Sequence, residues 1–267
     1  MSGFVSFLSD FGLKDEFVGV VHGVIGRIAP DVRTIDVTHG IPSGDIRAGA
    51  LALTRAVQYL PEGVVLAVVD PGVGTARRAI AAETERGFFV GPDNGLLSPA
   101  VALVGGAGRI VSLENPDFRI PSVGATFHGR DVFAPAAAVL ASGEADLADL
   151  GPSVDPETVT PLLLPLPEVG EGFVSGRAWW IDRFGNVQTN IGPEEIRLAG
   201  IDPDATITVK VGASEYEVQW VTAYGDVEEG DLLLHVDSAG LIALAVRGGD
   251  ASEALNLASG MALTLAG

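Results

Sequence analysis

The chain contains no cysteine, which excludes disulfides and thiolate chemistry and fits a cytoplasmic home. It has only two lysines, Lys14 and Lys210, and its 16 basic residues face 35 acidic ones, a formal net charge of −19. A phosphate backbone is repelled by such a chain, so nucleic acid is not an expected partner. A small cationic ligand is drawn to a negative cleft, although a surface suited to solubility or to a saline cytoplasm accounts for the charge without steering. No apolar run reaches the ~18 residues that span a bilayer, and residues 1–12 (MSGFVSFLSDFG) lack a basic segment, so neither a membrane span nor a signal peptide is expected. Internal repeats and low-complexity tracts are missing. So are the Walker and GxGxxG phosphate loops, the GxSxG elbow, and any HxH, HxxxH or HExxH pair, and no metal site is expected.

What remains is a chain of 267 residues that is 47% hydrophobic, with mean hydropathy +0.36 and 35 glycines, long enough for one large or two modest domains. Its organising stretch is 66–80 (LAVVDPGVGTARRAI). An apolar strand ends on Asp70, a Gly-rich turn follows, and Arg77 is placed to return and hold the carboxylate with both ends of its guanidinium. In open α/β sheets ligands sit beyond the carboxyl ends of the strands, where Asp70 falls. The plain alternative is a strand end tied off by a surface Asp–Arg pair.

Strands are predicted at 4–8, 34–38 and 64–69. Between them lie a helix capped by Asp15 and stopped by Pro30, and a helix over 46–60 opened by Asp45. This alternation predicts right-handed crossovers and a parallel sheet flanked by helices. Further β runs are expected at 79–83, 87–90 and 109–113, a short helix from Leu96, and a small-residue helix after a loop at 125–131, capped by Asp131. Prolines crowd 151–172, so an α/β domain over 1–160 and a linker over 161–172 are expected. Short strands separated by Gly and Asp turns then predict a smaller β barrel or sandwich over 173–267, with a brief helix at 252–257 and a closing strand at 262–265.

Polar residues that break the apolar pattern just after strands are the site candidates: Asp10, Asp15, Asp70, Arg77, Asn94, His128, Asp182 and Asn186. Asp15 is explained equally by a cap and by a ligand contact. His22 falls inside a helix and His235 inside a strand, both structural positions; His39 ends a strand and fits either role. His128 lies in a loop beside glycine and reads as functional.

Six stretches carry a resemblance: 9–15 (SDFGLKD), 36–39 (DVTH), 70–75 (DPGVGT) with Arg77, 91–95 (GPDNG), 126–131 (TFHGRD) and 182–186 (DRFGN). In this order, over nearly the whole length, the chain resembles the S-adenosyl-L-methionine hydrolases (hydroxide adenosyltransferases), relatives of the fluorinating and chlorinating enzymes. The resemblance implies attack of water on the ribose C5′, giving adenosine and L-methionine, with Asp70, Arg77 and His128 handling the water. Either Asp70 or His128 can be the base. It also implies that Asp10 holds the ribose, and that Asp15 with Ser238 holds the methionine ammonium. Asp182, Asn186 and Phe184 would bind the amino-acid and adenine ends, backbone at Arg247 and Gly249 the adenine edge, and Asn94 joins the substrate contacts. A homotrimer with sites between subunits and no metal or other cofactor completes the expectation. Where the fluorinating enzymes carry a tyrosine, a serine and a threonine, this chain has Asp70, Gly129 and Val73, and aromatics that cover the ribose there align with Gly44 and Gln188. A carboxylate at the nucleophile site disfavours a halide. Two rivals are a non-catalytic cofactor sensor and a halide-dependent transferase.

Overall fold

Three runs of apolar residues, β1 (Phe4–Ser9), β3 (Gly63–Val68) and β5 (Gly87–Pro92), are buried along almost their whole length, as strands covered on both faces must be. They are the centre of a six-stranded sheet in the first of two units, Met1–Leu163 and Leu164–Gly267. The structure is a computed structural model and describes residues 3–267. With β2 (Arg33–Thr38), β4 (Ala79–Thr84) and β6 (Arg109–Ser112), the sheet order is β2-β1-β3-β5-β4-β6. Strands β2, β1, β3 and β5 are mutually parallel, as the sequence predicts. β4 is reversed against both β5 and β6. Only Glu85 and Arg86 separate β4 from β5, and a link that short joins antiparallel strands alone.

Helices cover the sheet. α1 (Phe17–Ile28) and α4 (Ala134–Ser142) bury Val21, Ile25, Ala137 and Val139 together with Val5, Phe7, Leu66 and Val68. Residues 134–140 of α4 are all buried, consistent with a small-residue helix packed tightly on strands. α2 (Ile46–Val57) approaches so closely that a Cβ on Gly49 would come within 2.8 Å of Leu96 Cδ1 and 2.9 Å of Val69 Cγ2. α3 (Ser98–Leu103) follows the turn at 91–95.

Two expected caps are not formed. α1 begins after Glu16 with no side-chain cap, and Asp15 is an exposed residue outside it. Asp131 lies within a π-helical turn, Gly129–Phe133, that runs straight into α4, so its carboxylate is free to bind the Arg130 guanidinium instead of an orphan N–H. The third cap is real: Asp45 Oδ1 accepts from Ala48 N at 2.9 Å. Asp45→Ala is therefore expected to lower unfolding stability by about 1 kcal/mol, read from urea denaturation, while Asp15→Ala leaves it within about 0.5 kcal/mol.

The second unit is a closed barrel. β8 (Phe173–Ile181), β9 (Val187–Thr189), β10 (Ile207–Val211), β11 (Ser214–Trp220), β12 (Leu232–Val236), β13 (Ile242–Val246) and β14 (Ala262–Ala266) form a ring, β14-β10-β11-β12-β13-β9-β8, shut by the β14–β8 pairing. Val174, Val187, Val209, Leu234, Leu244 and Leu265 fill it. β7 (Glu168–Gly170) adds to β8 outside the ring. α5 (Pro193–Leu198) has no counterpart in the sequence reading. Its signals are Pro193 at the first helical position and Glu195, whose carboxylate accepts from Gly192 N at 2.9 Å. α6 (Ala251–Ala254) is capped by Asp250. Among the described residues no helix is long and apolar enough to cross a membrane.

Candidate active site

β3 ends on buried Val68, and the chain leaves the sheet through Val69, also buried, to Asp70. The turn at 70–75 is closed by Val73 N donating to Asp70 O and by Thr75 Oγ1 donating to Gly72 O at 2.7 Å, which returns the chain so that Arg77 faces Asp70. Arg77 Nε donates to Asp70 Oδ1 at 3.1 Å and Nη2 donates to Oδ2, a two-pronged pair. Nη1 donates to Arg78 O at 2.8 Å, and the guanidinium carbon lies 5.4 Å from the centre of the Phe133 ring. The side chains of Asp70 and Arg77 are only 5% and 9% exposed, so this is not a surface ion pair.

His128 completes the group from the turn that precedes α4. Arg77 Nη2 lies 3.1 Å from His128 Nδ1. A guanidinium only donates, so Nδ1 accepts, and the neutral ring carries its proton on Nε2. Burial, with the adjacent Arg77 charge, holds the His128 imidazolium below the usual imidazole range, against the opposing pull of Asp70. Burial also pushes the Asp70 carboxyl above the usual carboxylate range, and Arg77 reverses part of that rise. The outcome near neutral pH is a carboxylate more basic than an exposed one, beside an uncharged imidazole.

The neighbours brace this group. Asn94 Nδ2 donates to Val69 O at 2.9 Å, and its Oδ1 accepts from Leu96 N, so its amide holds the residue before Asp70 in place. Asp93 accepts from Arg78 Nε at 2.8 Å and from Thr160 N at 2.7 Å. Asp10 follows β1 at the same sheet edge and accepts from Gly44 N at 2.8 Å. Asp15 is exposed and lies outside the Asp70 group.

The barrel carries a separate cavity of about 530 Å³, lined by Asp182, Phe184, Asn186, Tyr224, Val246, Gly248 and Gly249. Asp182 organises its floor: Oδ1 accepts from Phe184 N at 2.8 Å and Asn186 N at 3.0 Å, and Oδ2 accepts from Asn186 Nδ2 at 2.9 Å. The turn needs glycine at Gly185, where φ is +81° and a Cβ would meet the Asp250 carboxylate at 2.1 Å. Phe184 is 65% exposed and Tyr224 46%, so two aromatic faces are open beside a carboxylate. Tyr224 escaped the sequence reading; an aromatic flanked by glycine in a loop is the signal that could have found it. Arg247 and Ser238 stand outside the lining. The Arg247 guanidinium donates to Val227 O, and Ser238 is exposed in the turn that Asp237 closes.

Residues 5–151 match the N-terminal domain of the SAM hydroxide adenosyltransferases, and residues 176–264 match their C-terminal domain. The chain belongs to the SAM hydroxide adenosyltransferase family. A relative in Salinispora tropica, named (R)-S-adenosyl-L-methionine hydrolase, is 48% identical over 260 residues, covering 96% of this chain and 95% of its own. A protein of the same name in Thermus thermophilus is 46% identical over 269 residues and covers 98% of both chains. A solved structure of a conserved protein from Thermotoga maritima superposes with a TM-score of 0.91 at 38% identity, covering 98% of this chain and 100% of that one. Fluorinases are more distant, with one from Actinoplanes 27% identical over 291 residues.

Packing around Gly129 leaves little room for a side chain. A Cβ on Gly129 would fall 2.8 Å from Phe11 Cζ and 3.2 Å from Phe127 Cε2. Phe11, Phe17 and Phe127 form a ring cluster with centroids 5.2 to 6.1 Å apart, so a serine at Gly129 requires that cluster to move.

Proposed function

We propose that this chain hydrolyses S-adenosyl-L-methionine to adenosine and L-methionine through in-line attack of water on the ribose C5′. The observation that carries the proposal is the buried Asp70–Arg77–His128 group, in which the Asp70 carboxylate and the His128 Nδ1 both face the Arg77 guanidinium. His128 Nδ1 is taken up by Arg77, so Asp70 is the group left to accept a proton. Water donates one proton to the Asp70 carboxylate while its oxygen, oriented by His128 Nε2–H, forms the new bond to C5′. The C5′–S pair leaves on sulfur, turning the sulfonium into a neutral thioether, so no acid is needed on the leaving side. Catalysis is then positioning and general-base work. Arg77 acts as the positioning residue that fixes the carboxylate.

The remaining contacts follow the same reading. Asp10 holds the ribose hydroxyls, and Phe184 and Tyr224 receive the adenine in the barrel cavity with backbone at Gly249. Asp15 and Ser238 meet the methionine ammonium, and the chain works as a homotrimer with sites between subunits. Asp182, Asn186 and Asn94 serve by shaping the turns that present these groups. A sensor has no use for a buried base poised over water, and a halide is repelled by the Asp70 charge.

The deciding experiment incubates the purified protein with S-adenosyl-L-methionine in ¹⁸O-water, with and without chelator and halide, and follows nucleosides by mass spectrometry. Adenosine labelled at its 5′ oxygen, in amounts unchanged by chelator or halide, is the expected result. Intact S-adenosyl-L-methionine retained by the protein would establish a sensor instead, and 5′-halogenated nucleoside would establish a transferase.

A further inference from the structure

Three donors that the hydrolysis does not use converge between α1 and β2. His22 lies on α1, Asp36 on β2, and His39 directly after β2. His22 Nε2 is 2.8 Å from Asp36 Oδ1, His39 Nε2 is 3.0 Å from the same oxygen, and one donor atom of each residue lies within 4.8 Å of the others. The His22–Asp36 contact is a good hydrogen bond. The His39 contact is not: its ring is 3% exposed, yet Nε2 makes no hydrogen bond, because Asp36 lies off the line that a ring N–H requires. A buried ring nitrogen left in this state costs stability unless its lone pair has another use.

The other nitrogen of His39 is held. Ser9 Oγ lies 2.7 Å from Nδ1, and with the hydroxyl accepting from Nδ1–H, Nε2 keeps a free lone pair beside Asp36. A ring nitrogen fixed from behind by a hydrogen bond is how metal-binding histidines are oriented. The floor is apolar: the Phe7 ring, fully buried, is 4.6 Å from the His39 ring and 6.2 Å from the His22 ring. The opposite side is open, with the His22 and Asp36 side chains 36% and 43% exposed, which leaves an entry path and room for water.

We propose that His22, Asp36 and His39 bind one divalent first-row transition ion, Zn(II) foremost, with water completing the coordination. Two imidazoles and one carboxylate suit zinc and its neighbours in the row, whereas calcium and magnesium prefer oxygen throughout. Donors around a tetrahedral zinc ion sit roughly 3.3 Å apart, so the two distances to Asp36 have to open by a few tenths of an ångström and the two ring nitrogens, within 4.8 Å of each other, have to settle at the same spacing. An ion there would pin α1 to β2.

The test uses the full-length protein stripped with a chelator and titrated with Zn(II) against a chromophoric competitor, with Co(II) absorption as a second readout. One ion per chain is expected. Binding should be lost in His22→Ala and in Asp36→Asn, weakened by about 10- to 100-fold in Ser9→Ala, and unchanged in His235→Ala. His22 and Asp36 are the positions to vary because they are partly exposed, and circular dichroism confirms that the variants fold. Absence of stoichiometric binding to the wild type overturns the proposal, as does binding that survives both His22→Ala and Asp36→Asn.

Discussion

Replacing Asp70 with asparagine is expected to lower kcat by about 10²- to 10⁴-fold while leaving the affinity for S-adenosyl-L-methionine within a few-fold. Asparagine keeps the size of the side chain but does not accept the proton of the attacking water. The pH profile supplies the sign. The working form has Asp70 ionised and His128 neutral, and both conditions fail as pH falls. Burial pushes the Asp70 carboxyl up and holds the His128 imidazolium down, so the acid limb of the wild-type profile lies above the ordinary carboxylate value. Stopped-flow or discontinuous assay across that limb, with isothermal titration for binding, makes the measurement. An asparagine variant that turns over at near the wild-type rate would remove Asp70 from the mechanism.

The second large effect is on stability. Arg77→Ala strips the partner from a carboxylate that is 5% exposed, and breaking a buried pair in this way is expected to cost about 3–5 kcal/mol at neutral pH. The cause predicts the pH dependence. Loss of Arg77 raises the folded-state pKa of Asp70 further above its unfolded value. The penalty is therefore full above that raised pKa and shrinks as pH falls toward the unfolded value, where Asp70 is protonated in both states. Denaturant unfolding of both proteins from neutral to mildly acidic pH should show the deficit closing. Arg77→Lys retains the charge but not the planar fork, so it should recover most of the stability and little of the turnover. A deficit independent of pH would mean that Arg77 stabilises through its contact with Phe133 and not through Asp70.

Several features were legible in the residues themselves. The uninterrupted apolar runs of β1 and β3 leave no option but burial on both faces, and Asp45 followed by a 3.6-period pattern marks α2 and its cap. Asp15 and Asp131 offered the same signal in sequence and do not cap. One lies outside its helix start, and the other is drawn into a π-helical turn where Arg130 is the nearer partner. α5 was missed because its six residues are too short for a periodic pattern, although Pro193 and Glu195 mark its start. The roles of Asp70, Arg77 and His128 came from resemblance to a family, while the residues alone identified a carboxylate and a guanidinium at a strand end. The His22–Asp36–His39 cluster escaped a search for closely spaced ligands because its members are joined by a helix-to-strand connection, with Asp36 placed 14 positions after His22.

The division between the two levels has a physical basis. Chain-local chemistry determined what depends on neighbours in sequence: which segments are apolar enough to be buried, where prolines and glycines break them, and that a carboxylate and an arginine share one tight turn. Tertiary structure decided what depends on residues far apart. Closure of β14 on β8 turns a set of short strands into a barrel and not a sandwich, because each edge can find a partner only once the sheet has curled. Packing of α4 brings His128 to Arg77 across 51 residues, sets the ring tautomer, and removes the water that would otherwise leave Asp70 an ordinary carboxylate. Reactivity at this site is a property of burial, and burial is set by the whole fold.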